Sequence, residues 1–251
     1  MTTTPRCSTE LWLVDLDAAG PVLAALERDH PRLTAADRAR ARRLRDSRER
    51  RRRLAAYAAL RIVLERVAGP GVRGRRIVRP PGDRPRLAAA GPHFSLSHAG
   101  GWALIGVARG DVIGVDLETA RSLSMSPRRR EEVMAVGAGL GARPPLAAVG
   151  DAALLQAWCR LEACAKARGS GVAALLRALG LRASGGRQLP LEQVEAAARR
   201  LARDAGLAVR DVELPAGLFG ATASAGKTAP VRPRRFPRDR REIARLLVGS
   251  G

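Results

Sequence analysis

The run Gly114-Val115-Asp116-Leu117-Glu118 sets two carboxylates two residues apart. In a strand, residues i and i+2 share a face, so Asp116 and Glu118 point one way and Val115 and Leu117 the other. Two acids so placed repel each other. Either they finish a strand in solvent, or a cation sits between them. Forty-six residues beyond Asp116 stands Glu162, within Trp158-Cys159-Arg160-Leu161-Glu162-Ala163-Cys164-Ala165-Lys166. Glu162 and Lys166 are four apart on one helical face. As a surface ion pair they would contribute ~0.3–0.5 kcal/mol. Their Trp, Cys, Leu and Ala neighbours instead mark a largely buried helix, in which both charges need partners. In that second reading Glu162 is a third oxygen ligand beside Asp116 and Glu118, and Lys166 faces whatever anion the metal binds. A third run, Phe94-Ser95-Leu96-Ser97-His98, precedes Ala99-Gly100-Gly101. A histidine there is either a turn or core residue, or one that points at a phosphate. Hard oxygen donors without a Cys/His ligand set indicate Mg²⁺ rather than Zn²⁺. No Walker A loop and no GxGxxG after a strand is present.

The elements that must position these residues can be read from periodicity and breakers. Residues 9–17 form a strand, followed by a turn at Gly20-Pro21 and a helix over 21–28. The basic stretch 34–67 is helical, with Thr34 as N-cap, Asp37 completing a weak capping box, and a bend near Asp46-Ser47. Its second part carries the apolar residues and is buried. Residues 69–92, rich in Gly, Pro and Arg, are loop with short strands. Residues 93–118 read as three antiparallel strands joined at Gly100-Gly101 and Arg109-Gly110-Asp111. Helices are expected over 128–140 and 151–168, the latter stopped by Gly169-Ser170-Gly171. Short strands near 207–213 and 218–223 close a second sheet. Residues 226–251 read as a basic, loosely held tail, dispensable for chemistry, in which 243–248 form a short closing helix. Strand–helix–strand content occurs twice, before and after about residue 110.

Composition narrows the function classes. The 251 residues suit one large or two small domains, and 46% hydrophobic content supplies a core despite only 3% aromatics. No apolar run approaches the ~20 residues of a membrane span. The absence of a signal-like start and of paired cysteines (Cys7, Cys159 and Cys164) leads us to expect a reducing, cytoplasmic setting. Forty-five basic against 24 acidic residues give +21, and all but Lys166 and Lys227 of the basic residues are arginines. A GC-rich genome accounts for part of that bias, so an isolated lysine is the better clue. The charge suits nucleic acid, a phosphate-rich cofactor or an acidic protein. With three Trp, three Phe and one Tyr, the chain is poor in the rings that stack bases, which argues against nucleic acid.

Taken in order, SLSHAGG, GVDLE and WCRLEACAKARGSG resemble the Sfp-type 4′-phosphopantetheinyl transferases, over roughly residues 30–225. The family shows an SHS/SHA-type turn, a GxDxE strand and a W-x-x-x-E-A-x-x-K helix. The basic Leu33–Arg61 stretch is similar to its arginine-rich helical region, and Gly82-Asp83-Arg84-Pro85 looks like its GKP loop. The resemblance implies an α+β fold of two similar subdomains related by a pseudo-two-fold, 1–110 and 111–225, with the active site in the cleft between them and 226–251 as the tail. It implies transfer of the 4′-phosphopantetheine arm of coenzyme A to a serine of an acidic apo acyl or peptidyl carrier protein, releasing adenosine 3′,5′-bisphosphate. Asp116, Glu118 and Glu162 would bind Mg²⁺. Lys166, His98, Ser97 and Arg84 would meet coenzyme A, with Arg40, Arg52 and Arg53 on its 3′-phosphate. Glu162, Lys166 and Asp116 would be catalytic, and the enzyme a monomer without membrane partners. Two positions depart from the pattern: Leu161 stands where the family often has lysine, and Arg84 replaces the GKP lysine. Competing readings are a basic nucleic-acid-binding protein and a degenerate transferase that binds coenzyme A without turnover.

Overall fold

The computed structural model describes residues 9–141, 150–181, 189–225 and 231–248. The fold is α+β. Its first half runs through strand β1 (Thr9–Asp15), helices α1 (Leu16–Asp29), α2 (Ala35–Arg42) and α3 (Ser47–Ala68), a small ribbon of β2 (Ile77–Val78) and β3 (Arg86–Leu87), and the hairpin β4 (His93–Ala99) and β5 (Trp102–Ala108). The second half runs through β6 (Ile113–Thr119), α4 (Pro127–Leu140), α5 (Asp151–Arg168), α6 (Gly171–Ala178), α7 (Leu191–Asp204), β7 (Ala208–Asp211) and β8 (Leu218–Ser224). Strand β9 (Arg234–Arg235) and helix α8 (Arg240–Val248) follow.

The two main sheets repeat one plan. In the first the order is β4-β5-β1-β9, and in the second β6-β8-β7. Each half therefore opens on a strand, passes through helices, and returns with a pair whose last strand lies antiparallel to the opening one. The strand over 113–119 consequently pairs with β8, where a third strand beside β4 and β5 was expected. Its apolar residues decide this. Ile113, Val115 and Leu117 face Leu11, Leu13 and Leu104 of the first sheet, so β6 packs against that sheet while its ladder completes the other. Strand β1 is buried on both faces: Leu11 and Leu13 meet β6, while Trp12 and Val14 meet helices α1 and α3.

Local chemistry sets the helix boundaries. Asp46 accepts from the Glu49 amide at 2.7 Å and starts α3, whose buried residues begin at Ala55. The capping box of Thr34 and Asp37 forms at α2. Residues Gly20-Pro21, expected to turn, lie inside α1. Asp15 caps that helix by accepting from Ala18 at 3.0 Å, and burial of Leu16, Ala19, Leu23 and Leu26 offsets the bond that proline forfeits. Among the described residues, no helix is long and apolar enough to cross a membrane.

The C-terminal segment corrects the loose-tail expectation. Strand β9 adds parallel to β1, and the Phe236 amide donates to the Leu13 carbonyl at 2.9 Å. Phe236 is 4% exposed and meets Trp12 edge-on, and Ile243 is 1% exposed in the same core. Arg66 donates to the Leu246 carbonyl at 2.9 Å. Two apolar anchors outweigh the basic, proline-bearing character that suggested a free tail. Phe236→Ala is expected to cost ~3–5 kcal/mol, as other large-to-small core changes do. Denaturant unfolding of the full chain checks this; a loss below ~1 kcal/mol would mean that the segment is merely laid on the surface.

Candidate active site

The site begins with a close approach of backbone to backbone. A Cβ on Gly114 would run into the Ala163 carbonyl and come within 2.5 Å of the Ala167 nitrogen. Glycine alone lets β6 lie directly on α5. The contact carries Asp116 and Lys166 to one point. Asp116 is 4% exposed. Its Oδ1 accepts from Lys166 Nζ at 2.6 Å and from the Ser97 hydroxyl at 2.7 Å. Lys166 also donates to Ser97 Oγ at 3.2 Å and stands 3.8 Å from Glu162 Oε2. Ser97 belongs to β4, so this bond set ties the two halves together. Lys166 was expected one turn from Glu162, facing an anion; here its ammonium donates to Asp116.

Asp116 Oδ2 is buried and has no hydrogen-bond partner. A buried carboxylate oxygen left unbonded is costly unless a ligand completes it. Glu118 shares the face of Asp116 but its carboxylate bonds Arg121 at 3.2 Å. Burial pushes the Glu162 carboxyl above its ordinary range; Lys166 opposes this, and Asp116 and Glu118 add to it. Burial likewise pushes the Cys159 thiol well up, with Asp116 and Glu118 reinforcing it. Asp116, Glu118 and Glu162 thus feel one another's charge. Their chemistry and the unpartnered Oδ2 fit a divalent cation such as Mg²⁺. As placed, no three acid, histidine or cysteine side chains among the described residues converge on a single ion position.

Beside the acids lies a cleft of about 360 Å³ lined from both halves. Arg53 and Tyr57 of α3, Arg79 and Arg84 of the 79–85 loop, and His98 of β4 face Glu162 and Lys166 of α5 across it. The guanidiniums of Arg53 and Arg79 each lie 5.9 Å from the Tyr57 ring centre. Burial lowers the Arg79 pKa, with Arg40 and Arg53 adding and Tyr57 and Asp37 opposing. Arg53 Nε is buried without a partner. Burial, helped by Arg53 and Lys166 against Glu49, drives His98 down to about 4. It is neutral at pH 7 and offers a phosphate one N–H rather than a positive charge. Crowded cations of this kind are stabilised by a bound anion.

The other carried-over residues divide. Arg84 stands at the cleft edge and donates to the Ala167 carbonyl at 2.9 Å. A Cβ on Gly169, itself at φ +75, would come within 3.0 Å of Asp83 Oδ1 and 3.1 Å of the Arg84 amide, so the Gly82–Pro85 loop rests closely on the end of α5. Arg40 is exposed near Arg79. Arg52 is absent from the cleft: Asp17 holds it at 2.6 and 2.8 Å and Glu49 at 2.7 Å. Leu161 is fully buried in the core of the second half, so the charge missing there is not missing from the cleft lining. Tyr57 and Arg79 went unrecognised in the sequence. The signal for Arg79 was its place just after a short strand and before Pro80-Pro81, indistinct among 43 arginines.

A scan of the chain against protein-family models finds no match, and none of the curated proteins matches it.

Two outcomes follow from this geometry. Gly114→Ala forces β6 off α5 and is expected to cost ~1–3 kcal/mol, the usual penalty for overpacking. Unfolding of the variant measures it; an unchanged stability would mean that the strand and helix are not in contact. For His98, the folded pKa lies below the ordinary 6.5, so the unfolded chain takes up the extra proton. Stability therefore falls as pH drops from about 6.5 towards about 4, and His98→Gln removes that part of the acid limb. A stability–pH series on both proteins checks the sign, and a His98 NMR titration near 6.5 would refute it.

Proposed function

We propose that this protein is a 4′-phosphopantetheinyl transferase, moving the arm of coenzyme A to a serine of an acidic carrier protein. The observation that carries the reading is the juxtaposition of Asp116, Glu162 and Lys166 with an arginine-lined cleft between two similar halves. The three sequence runs that resemble that family contribute these residues. In this reading Asp116, Glu118 and Glu162 would hold Mg²⁺, which when bound would supply charge neutralisation for the pyrophosphate.

The chain's own groups do the rest. Arg53, Arg79 and Arg84 bind phosphate oxygens of coenzyme A, and neutral His98 donates an N–H to another. Lys166 meets the charge that grows on the leaving phosphate. The carrier's serine oxygen attacks the phosphorus bearing the pantetheine arm. The bond from that phosphorus to adenosine 3′,5′-bisphosphate breaks, and the serine proton passes to Glu162. As in other phosphoryl chemistry, positioning and charge dominate.

The test is incubation with coenzyme A, Mg²⁺ and a panel of apo carrier proteins, read by mass for the ~340 Da arm. Asp116→Asn keeps the size of the side chain and is expected to remove detectable transfer while leaving the melting temperature within a few degrees. Coenzyme A binding without any mass addition would identify a degenerate transferase. Binding of RNA or DNA without binding of coenzyme A would sink the reading.

A further inference from the structure

Lys166 already neutralises the carboxylate that a divalent cation would use. Its ammonium touches Asp116 Oδ1 at 2.6 Å and Ser97 Oγ at 3.2 Å, with Glu162 Oε2 at 3.8 Å. Two of these three oxygens belong to acids that are candidates for the metal. A cation on the free Oδ2 and the ammonium on Oδ1 would face each other across one carboxylate and repel. The lysine has somewhere else to go. Its side chain is 31% exposed and lines the cleft that faces Arg53, Arg79 and His98. Without a metal it cannot simply leave, because Asp116 would then be a buried charge with no counter-ion.

We infer that Lys166 is the resident counter-ion of the metal-free site, competes with the divalent cation for Asp116, and couples cation binding to polyphosphate binding. This rests on the metal part of the reading above. A polyphosphate in the cleft draws the ammonium off Asp116 and so exposes the carboxylate to the cation. A cation on Asp116 pushes the ammonium towards the cleft. By linkage the two effects are equal, so each ligand strengthens the other by the same factor. Lys166 is thus a positioning residue for the metal as well as a group that meets phosphate.

The experiment uses the full chain and Mn²⁺ alone, without coenzyme A, followed through the free-ion electron resonance signal. Lys166→Met is expected to bind Mn²⁺ ~tenfold or more tightly than the wild type. The metal-free variant should melt below the wild type and regain more on adding Mn²⁺. Lys166→Arg, which keeps the charge, should bind as weakly as the wild type. A second measurement needs no variant. The chain has two lysines, so ¹³C reductive methylation, which preserves charge, gives few resonances to assign. Mg²⁺ alone should move that of Lys166. Equal Mn²⁺ affinity in wild type and Lys166→Met, or weaker affinity in the variant, overturns the inference and leaves the metal site standing. So does a Lys166 resonance that stays put when Mg²⁺ binds. Binding of neither ion by any of the proteins overturns the inference and the metal part of the proposed function together.

Discussion

A carboxylate as deeply buried as that of Asp116 must be met by a positive charge and by hydrogen-bond donors. The architecture around it answers that demand. The hydroxyl of Ser97 comes from one sheet, the ammonium of Lys166 from the long helix of the other half, and both reach the same oxygen. Ser95, two residues earlier on the same strand, accepts from the Val115 amide at 3.0 Å. The join between halves is therefore polar along one line, where it holds the acid, and apolar beside it, where Leu11, Leu13 and Leu104 meet β6. Gly114 is what makes the geometry possible, since any side chain there would part the strand from the helix.

The arginine excess separates into two populations. Several arginines are buried against acids and act as structural ties: Arg32 with Glu65 and Arg61 with Asp37, both buried pairs, and buried Arg160 with the part-exposed Asp211. Removing one member of such a pair would strand the other, so they fix the fold without advertising a ligand. Arg53 and Arg79 differ. They lie against Tyr57 rather than a carboxylate, and Arg53 adds to burial in lowering the pKa of Arg79 and His98. A net charge of +21 says little about function until the paired cations are set apart from those that repel each other.

Much of the site was legible because its residues fall within short runs. The period of two in GVDLE put Asp116 and Glu118 on one face, and the i, i+4 spacing put Glu162 and Lys166 on another, without any knowledge of the tertiary fold. What joins the runs was not legible. The direct Lys166–Asp116 bond depends on how closely a strand approaches a helix 50 residues later in the chain, and only the glycine hinted at it. Arg52 sat in the right stretch yet faces Asp17, because a helix spreads neighbouring side chains over different sides. The helix α7 was passed over although Val194, Ala198 and Ala202 keep a four-residue spacing and are buried. Its small apolar residues make a weak stripe in an arginine-rich segment. The C-terminal segment misled for the opposite reason: its composition is that of a tail, and only Phe236 and Ile243 betray the docking.

The pairing of β9 with β1 joins residues more than 200 positions apart, Trp12 with Arg234 and Leu13 with Arg235. A ribosome delivers the chain from the other end. The strands and helices of the first half emerge long before the segment that covers Trp12. During synthesis that sheet has an uncovered edge and its core lacks a bulky ring, while the whole second half is still being made. Closure must therefore wait until the second half has been made, and once β8 stands beside β6 only the short stretch from Ser224 to Arg234 is left to close. An open strand edge held for that interval is a place where a holding chaperone, or a second nascent chain, can attach.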